Sequence, residues 1–310
     1  MTRLVRPERA NTCAVVVTYQ PDAGLAERIA RISSLVNKLV IVDNQSTGES
    51  AENIGRIPAG DSVQIIRNDR NLGLAAALNQ GLAVAGAEDY QWVITFDQDT
   101  LAGENLFHEL QAVYDSFPEK ERIAIIGCNY WDPVRGRPLV DVKRSPACPW
   151  IERKGVITSG SLISLSVFDE IGQFLSALFI DRVDDEYCLR ARSKGYRILL
   201  ALEPAMEHSL GPGRAHATVW GTVSTPGYQS ARWYYIARNS LILARKYFLK
   251  EPRWIAAGLF YSAIMFVKVL WLEDGRTAKL RHVAAGLADG LRSGTRIRGE
   301  HRLGTHVAAS

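Results

Sequence analysis

The stretch Trp92-Val93-Ile94-Thr95-Phe96-Asp97-Gln98-Asp99-Thr100 decides how the chain is read. Five residues that favour extended structure run straight into two acids separated by one residue. Side chains two apart at the end of a strand can point to the same side, so Asp97 and Asp99 form a pair. An Asp-x-Asp pair alone is common by chance. Placed just past a buried strand it predicts an oxygen-rich site for a divalent metal, Mg²⁺ or Mn²⁺, shared with phosphate oxygens.

Working outward, the same alternation of short apolar runs and helical patterns recurs on both sides. Cys13 to Thr18, Leu39 to Asp43 and Val63 to Arg67 read as strands that precede it, and Ile123 to Gly127 as one that follows. Between them Leu25, Ile29, Ile32, Leu35 and Val36 recur at helical spacing, Gly73 to Ala85 is rich in Ala and Leu, and Glu104 to Tyr114 reads as a further helix. Strands with little internal polarity, separated by helices, predict an α/β fold with a mostly parallel sheet flanked by helices. Ligands of such sheets sit beyond the carboxyl ends of the strands. The residues there are Thr18 and Tyr19, then Asp43, Asn44 and Ser46, then Asn71 and Gly73, then Asp97, Gln98 and Asp99. Each singly reads as a turn or cap residue. Four strand ends carrying hydrogen-bonding groups together weaken that reading and point to a ligand site.

Composition bounds this reading without choosing it. The 310 residues are 47% hydrophobic and 23% charged, enough for one large domain with an appendage or for two modest ones. The net charge of +4 fits an anionic ligand, an anionic membrane surface or nucleic acid equally. Cys13, Cys128, Cys148 and Cys188 are widely spaced, which suits a reducing cytosol and argues against a disulfide frame or structural zinc. The apolar run Ala14 to Val17 is too short for a signal-peptide core, so a cytoplasmic location is expected.

Four motifs then carry a resemblance: VVVTYQP (15–21), IVDNQST (41–47), NLGLAAALNQGL (71–82) and FDQDT (96–100). With these the chain resembles glycosyltransferase family 2, inverting enzymes with a GT-A fold. The FDQDT form, together with FIDRVDDEYCLRARSKGYRI (179–198), is most similar to the bacterial rhamnosyltransferase branch. The resemblance runs from about residue 13 to 294. It implies that Thr18 and Asp43 contact the nucleobase, that Asp97 and Asp99 hold ribose and metal, and that no nucleic acid is bound. Thr100 stands where the branch usually has Ser, and Tyr187 where it commonly has Trp.

The second half supplies the remaining candidates. Ser159 lies in Thr158-Ser159-Gly160-Ser161, a segment that the resemblance puts under the acceptor site and that otherwise reads as a strand with a close-approach glycine. Asp181, Asp184, Asp185 and Glu186 crowd the start of a helix, where acids also serve as caps and complement the dipole. Inverting transfer needs a carboxylate to take the acceptor's proton. Asp184 matches the family's catalytic acid, with Asp181 as second choice. His208 matches a family histidine that completes the metal or diphosphate site, and imidazole suits Mn²⁺. Residues 210–229, rich in Gly, Pro, Ser and Thr, read as irregular: a lid over the donor or simple disorder. Arg238 and Asn239 match an Arg-Asn pair facing the diphosphate or acceptor, though arginines on a helix are commonly just exposed.

Trp254 to Leu272 has a single charge, Lys268, and is nearly long enough to cross a bilayer. Three readings follow: a helix packed on the chain or on a second subunit, a helix in the membrane interface, and a span. The domain expectation is a catalytic domain over 10–230, with a nucleotide half at 10–127 and an acceptor half at 128–230, then a helical extension over 231–294 and a flexible tail at 295–310. The extension offers a dimer or membrane surface. The expected activity is transfer of a sugar, by resemblance L-rhamnose from dTDP-L-rhamnose, to a saccharide or lipid-linked acceptor. UDP- and GDP-sugars are the alternative donors, and a non-catalytic sugar-nucleotide-binding protein is the alternative class. A pyrophosphorylase is disfavoured, because Thr18-Tyr19-Gln20-Pro21 is no Gly-rich, basic triphosphate loop.

Overall fold

The computed structural model describes residues 4–142, 148–209, 213–218 and 221–293. In chain order the elements are β1 (Thr12–Thr18), α1 (Leu25–Ser33), β2 (Lys38–Asp43), α2 (Gly48–Gly55), β3 (Val63–Arg67), α3 (Leu74–Ala87), β4 (Trp92–Asp97), β5 (Leu101–Ala102), α4 (Leu106–Ser116), β6 (Ile123–Asp132), β7 (Arg137–Pro138), β8 (Trp150–Glu152), β9 (Ser161–Ser164), α5 (Leu165–Ile171), α6 (Val183–Ser193), β10 (Arg197–Glu207), β11 (Arg214–Thr218), β12 (Gly221–Thr225), α7 (Ser230–Tyr247), α8 (Pro252–Leu272) and α9 (Arg276–Arg292). Two compact units result. Met1–Phe174 with Asp184–Ser209 form the first, and Leu175–Val183 with Leu210–Ser310 the second.

The first unit holds the sheet, in the order β3-β2-β1-β4-β9-β6-β10-β5, with β7 beside β6 and β8 beside β10. All seven residues of β1 are buried, as a strand covered on both faces requires. Helix α1 buries Leu25, Ile29 and Ile32, its one apolar stripe, under β1 and β2. Glycine at 73 is required by geometry: φ is +85° at the residue that caps α3, a region open mainly to glycine.

The α/β expectation holds, with a sheet that is mixed. Strands β1 to β4 are parallel to one another, and so are β6 and β10. Between the two sets β9 runs antiparallel to both β4 and β6. Strand β6 continues five residues past the expected Gly127, because Asn129 is satisfied inside the sheet. Its amide donates to the carbonyls of Val140 and Leu202 at 2.9 and 2.7 Å.

The second unit contains the antiparallel hairpin β11–β12 and helices α7 to α9. The hairpin corrects the expectation that 210–229 is irregular throughout; residues 210–212 and 219–220 lie outside the described part. It is tied to the helices through Glu273. That buried carboxylate accepts from Gly227 N–H at 3.1 Å and from Lys279 Nζ at 2.9 Å. Burial pushes its pKa up, but bonds from Thr225 and Lys279 outweigh this and hold it below the usual carboxylate value.

Candidate active site

The parallel strands end in a connected set of polar groups. Register pairs Thr18 with Asp43 across β1 and β2, and Thr18 Oγ1 donates to Asp43 Oδ1 at 3.0 Å. Ser46 adds its backbone N–H to Asp43 Oδ2 at 3.0 Å and its hydroxyl to Oδ1 at 2.5 Å. Asn44 is buried and braces the next loop: its amide donates to Gly73 O at 3.2 Å, and its Oδ1 accepts from Leu72 N and from Asn68. Asn71 Oδ1 accepts from Gly73 N–H at 2.9 Å, the local bond of an Asx turn. Tyr19 and Gln98 bond reciprocally, Tyr19 N–H to Gln98 Oε1 at 2.7 Å and Gln98 Nε2 to Tyr19 O at 3.1 Å, which leaves the Tyr19 ring exposed.

One residue of this neighbourhood was missed by sequence reasoning. Arg28 on α1 donates to the Gln98 carbonyl at 2.6 Å and pairs with Asp22 at 2.8 Å, so it holds the loop between the two acids. Its position in the sequence carries no signal beyond that of an ordinary polar helix residue. The pairing pulls the Asp22 carboxyl below its usual value, against a smaller opposing effect of burial.

The short strand β5 explains how His208 reaches the acids. It follows Thr100 at once and pairs antiparallel with the end of β10, Met206 opposite Ala102 and Glu207 opposite Leu101. His208, the next residue, therefore lands beside the Asp97–Asp99 turn. Among the described residues Asp97, Asp99 and His208 form a group whose ligand atoms all lie within 4.8 Å of one another. His208 Nε2 lies 3.8 Å from Asp97 Oδ2, and Nδ1 3.6 Å from Asp99 Oδ1. Two carboxylates and an imidazole suit a hard-to-borderline divalent ion such as Mn²⁺ or Mg²⁺, so the donor set fits the metal expected here.

Behind this group lies a buried chain of hydroxyls. Asp97 N–H donates to Ser159 Oγ at 3.1 Å, Ser159 Oγ is 2.6 Å from Thr100 Oγ1, and Thr100 Oγ1 is 3.1 Å from His208 Nδ1. Ser159 and Thr100 are fully buried. A ligating imidazole uses one nitrogen and anchors the other through its N–H. Thr100 as acceptor for Nδ1–H leaves the Nε2 lone pair for a metal. Thr100→Val keeps the shape and removes that acceptor, so Mn²⁺ affinity in a calorimetric titration should fall about 10- to 100-fold. Unchanged affinity would reduce Thr100 to a packing residue.

Asp184 stands in the first turn of α6, where its Oδ1 accepts the Asp185 backbone N–H at 2.9 Å. Glu186 is fully buried and bound by Arg190 at 2.9 Å, while Arg190 also donates to the carbonyls of Ile171, Gly172 and Gln173. These two residues serve packing. The aromatic ring of Tyr187 lies against Phe174 and Phe168, at 4.6 and 6.0 Å.

Asp181, Arg238 and Asn239 belong to the second unit. Asp181 is gripped by a two-pronged guanidinium: Arg232 Nε reaches Oδ2 at 3.0 Å and Nη2 reaches Oδ1 at 2.9 Å. Asn239, fully buried, gives its amide to the carbonyls of Leu178, Ile180 and Asp181 at 2.8–2.9 Å. Arg238 donates to Ala177 O at 2.6 Å. The loop they hold has Phe179, Asp181 and Arg182 at φ of +66°, +61° and +63°, a conformation that costs non-glycine residues about 1–3 kcal/mol each.

Residues 13–171 match the model of Glycosyl transferase family 2. The chain belongs to that family. It is similar to the dTDP-rhamnosyl transferase RfbF of Shigella flexneri, 27% identical over 249 residues, 76% of this chain and 81% of that one. Two solved structures share the fold. A mannosyltransferase of Pyrobaculum calidifontis, in complex with GDP-Man and Mn²⁺, gives a TM-score of 0.50 at 16% identity, covering 92% of this chain and 76% of its own. S. aureus TarS 1-349 with UDP-GlcNAc gives 0.51 at 13%, covering 91% and 80%. This glycosyltransferase therefore has a GT-A-like fold.

Proposed function

We propose that this glycosyltransferase moves L-rhamnose from dTDP-L-rhamnose, with inversion, onto a saccharide or lipid-linked saccharide in surface polysaccharide or glycolipid synthesis. The similarity to a dTDP-rhamnosyl transferase across three quarters of the chain carries the sugar assignment. Thr18, Tyr19, Asp43, Asn44, Asn71, Gly73 and Gln98 would position the nucleotide. Asp97, Asp99 and His208 would hold the metal, which when bound neutralises charge on the leaving diphosphate.

Asp184 takes the acceptor hydroxyl's proton as that oxygen attacks the anomeric carbon from the face opposite the diphosphate. Asp181 is the weaker candidate, because both its oxygens are occupied by Arg232. A donor of this kind is used in the cytoplasm, and a lipid-linked acceptor would bring the enzyme to the inner face of the membrane.

The test is calorimetric binding of dTDP, UDP, GDP and their sugars, each with and without Mn²⁺. Selective, Mn²⁺-dependent binding of dTDP and dTDP-L-rhamnose is expected. Preference for a UDP- or GDP-sugar would discard rhamnose while leaving the transferase in place.

A further inference from the structure

Among the described residues the outer face of α8 is largely exposed. Its 21 residues bury only Ile255 and Val269, although the helix is apolar enough in length and composition to cross a membrane. Leu259, Phe260, Ile264, Val267 and Trp271 recur at helical steps along the outer face and are 38–67% exposed. At 1.5 Å per residue, Leu259 to Trp271 make a ridge roughly 18 Å long. Contiguous exposure on that scale marks an interaction surface. The expectation that α8 packs on the chain is met only by the narrow strip facing α7, β12 and α9.

Charge decides the occupant. From Arg245 onward the sequence carries twelve Lys and Arg against five Asp and Glu, a net +7, while residues 1–244 sum to −3. The cations Lys250, Arg253, Lys268, Arg276 and Arg281 are exposed around α8. Glu273 adds no charge to that surface, because it is buried against Lys279. An apolar ridge rimmed by cations matches an anionic bilayer, whose headgroups take the cations while the acyl boundary takes the side chains. A second copy would set one positive rim against another.

We propose that α8 docks, lying in the membrane plane, into an anionic lipid surface. A bilayer span is disfavoured by the inner strip, where Arg182 donates to Ser262 of α8 at 2.8 Å and to Ser240 of α7 at 3.3 Å. Exposing that strip to hydrocarbon would strip the guanidinium of its partners. The inference stands on the C-terminal helices alone and does not need the rhamnose assignment.

The test is flotation of the full chain with vesicles of phosphatidylcholine, or of an equal mixture of phosphatidylcholine and phosphatidylglycerol. Binding to the anionic vesicles alone is expected, weakened by salt and by Lys250→Gln with Arg253→Gln. Phe260→Ser and Trp271→Ser should each lower partitioning about tenfold or more. Both sites are exposed, so melting temperature and nucleotide affinity should stay at wild-type values, which separates this inference from the donor assignment. No binding to anionic vesicles would overturn the proposal. So would a dimer in sedimentation that Phe260→Ser dissociates, or bound protein that resists alkaline carbonate extraction as a spanning helix does.

Discussion

Asp184→Asn is expected to slow sugar transfer by about 10²- to 10⁴-fold, the contribution of a positioned proton acceptor. The amide has nearly the carboxylate's shape and keeps an oxygen for the Asp185 N–H, so α6 should start unchanged. Donor affinity and melting temperature should therefore match wild type, and only turnover should fall. The neighbouring Asp181→Asn serves as the contrast. It breaks the fork with Arg232 and loosens a loop held in left-handed conformations, so its main expected effect is on stability. A transfer rate that survives Asp184→Asn and collapses in a folded Asp181→Asn protein would exchange the two roles.

Asp99→Asn is the second large effect. Asp99 is the more exposed of the two carboxylates in the candidate metal group, so its loss should leave the fold intact. Removing one of three ligands should reduce kcat/KM by about 10²- to 10³-fold, several kcal/mol of charge stabilisation at the diphosphate. Nucleotide binding measured with Mn²⁺ should drop toward its metal-free level. Excess EDTA should have the same effect on the wild-type enzyme. Full transfer in EDTA would remove the metal, and with it the role given to Asp97, Asp99 and His208.

Much of the first unit is legible in the sequence because its strands are buried on both faces and announce themselves as apolar runs. Cys13 to Thr18 and Trp92 to Phe96 are of this kind, and the polar residues that follow them mark the end of the sheet where the candidate site is built. Strand β9 is legible only in part: the sequence suggests a strand around Thr158 to Ser161, whereas the strand runs Ser161–Ser164, and its position in the sheet is not readable. Ser161-Leu162-Ile163-Ser164 is short, polar at both ends, and owes its place to pairing with β4 and β6 from elsewhere in the chain. The His208 contact depends on a two-residue strand that no periodicity could reveal, so the expectation that His208 joins the acids comes from the resemblance alone. Arg28 and Thr100 act through carbonyls and hydroxyls brought near by the fold. Asn239 reads as half of an Arg-Asn motif, yet its amide is wholly engaged by three backbone carbonyls, which a sequence pattern does not show.

The strand order β1-β4-β9-β6 has a consequence for synthesis of the chain. When Asp97 leaves the ribosome, β4 can pair with β1, but its other edge has no partner until Ser164 emerges. At about 5–20 residues per second that interval lasts roughly 3 to 13 s. For that time an apolar strand presents open backbone groups, a template for pairing with a neighbouring nascent chain. Strand β6, made in the meantime, cannot fill the gap, because its neighbours in the finished sheet are β9 and β10. The segment up to β6 is thus not a self-sufficient folding unit. A polypeptide ending near residue 130 should aggregate, and the nascent chain is a natural client for chaperones that shield exposed strand edges.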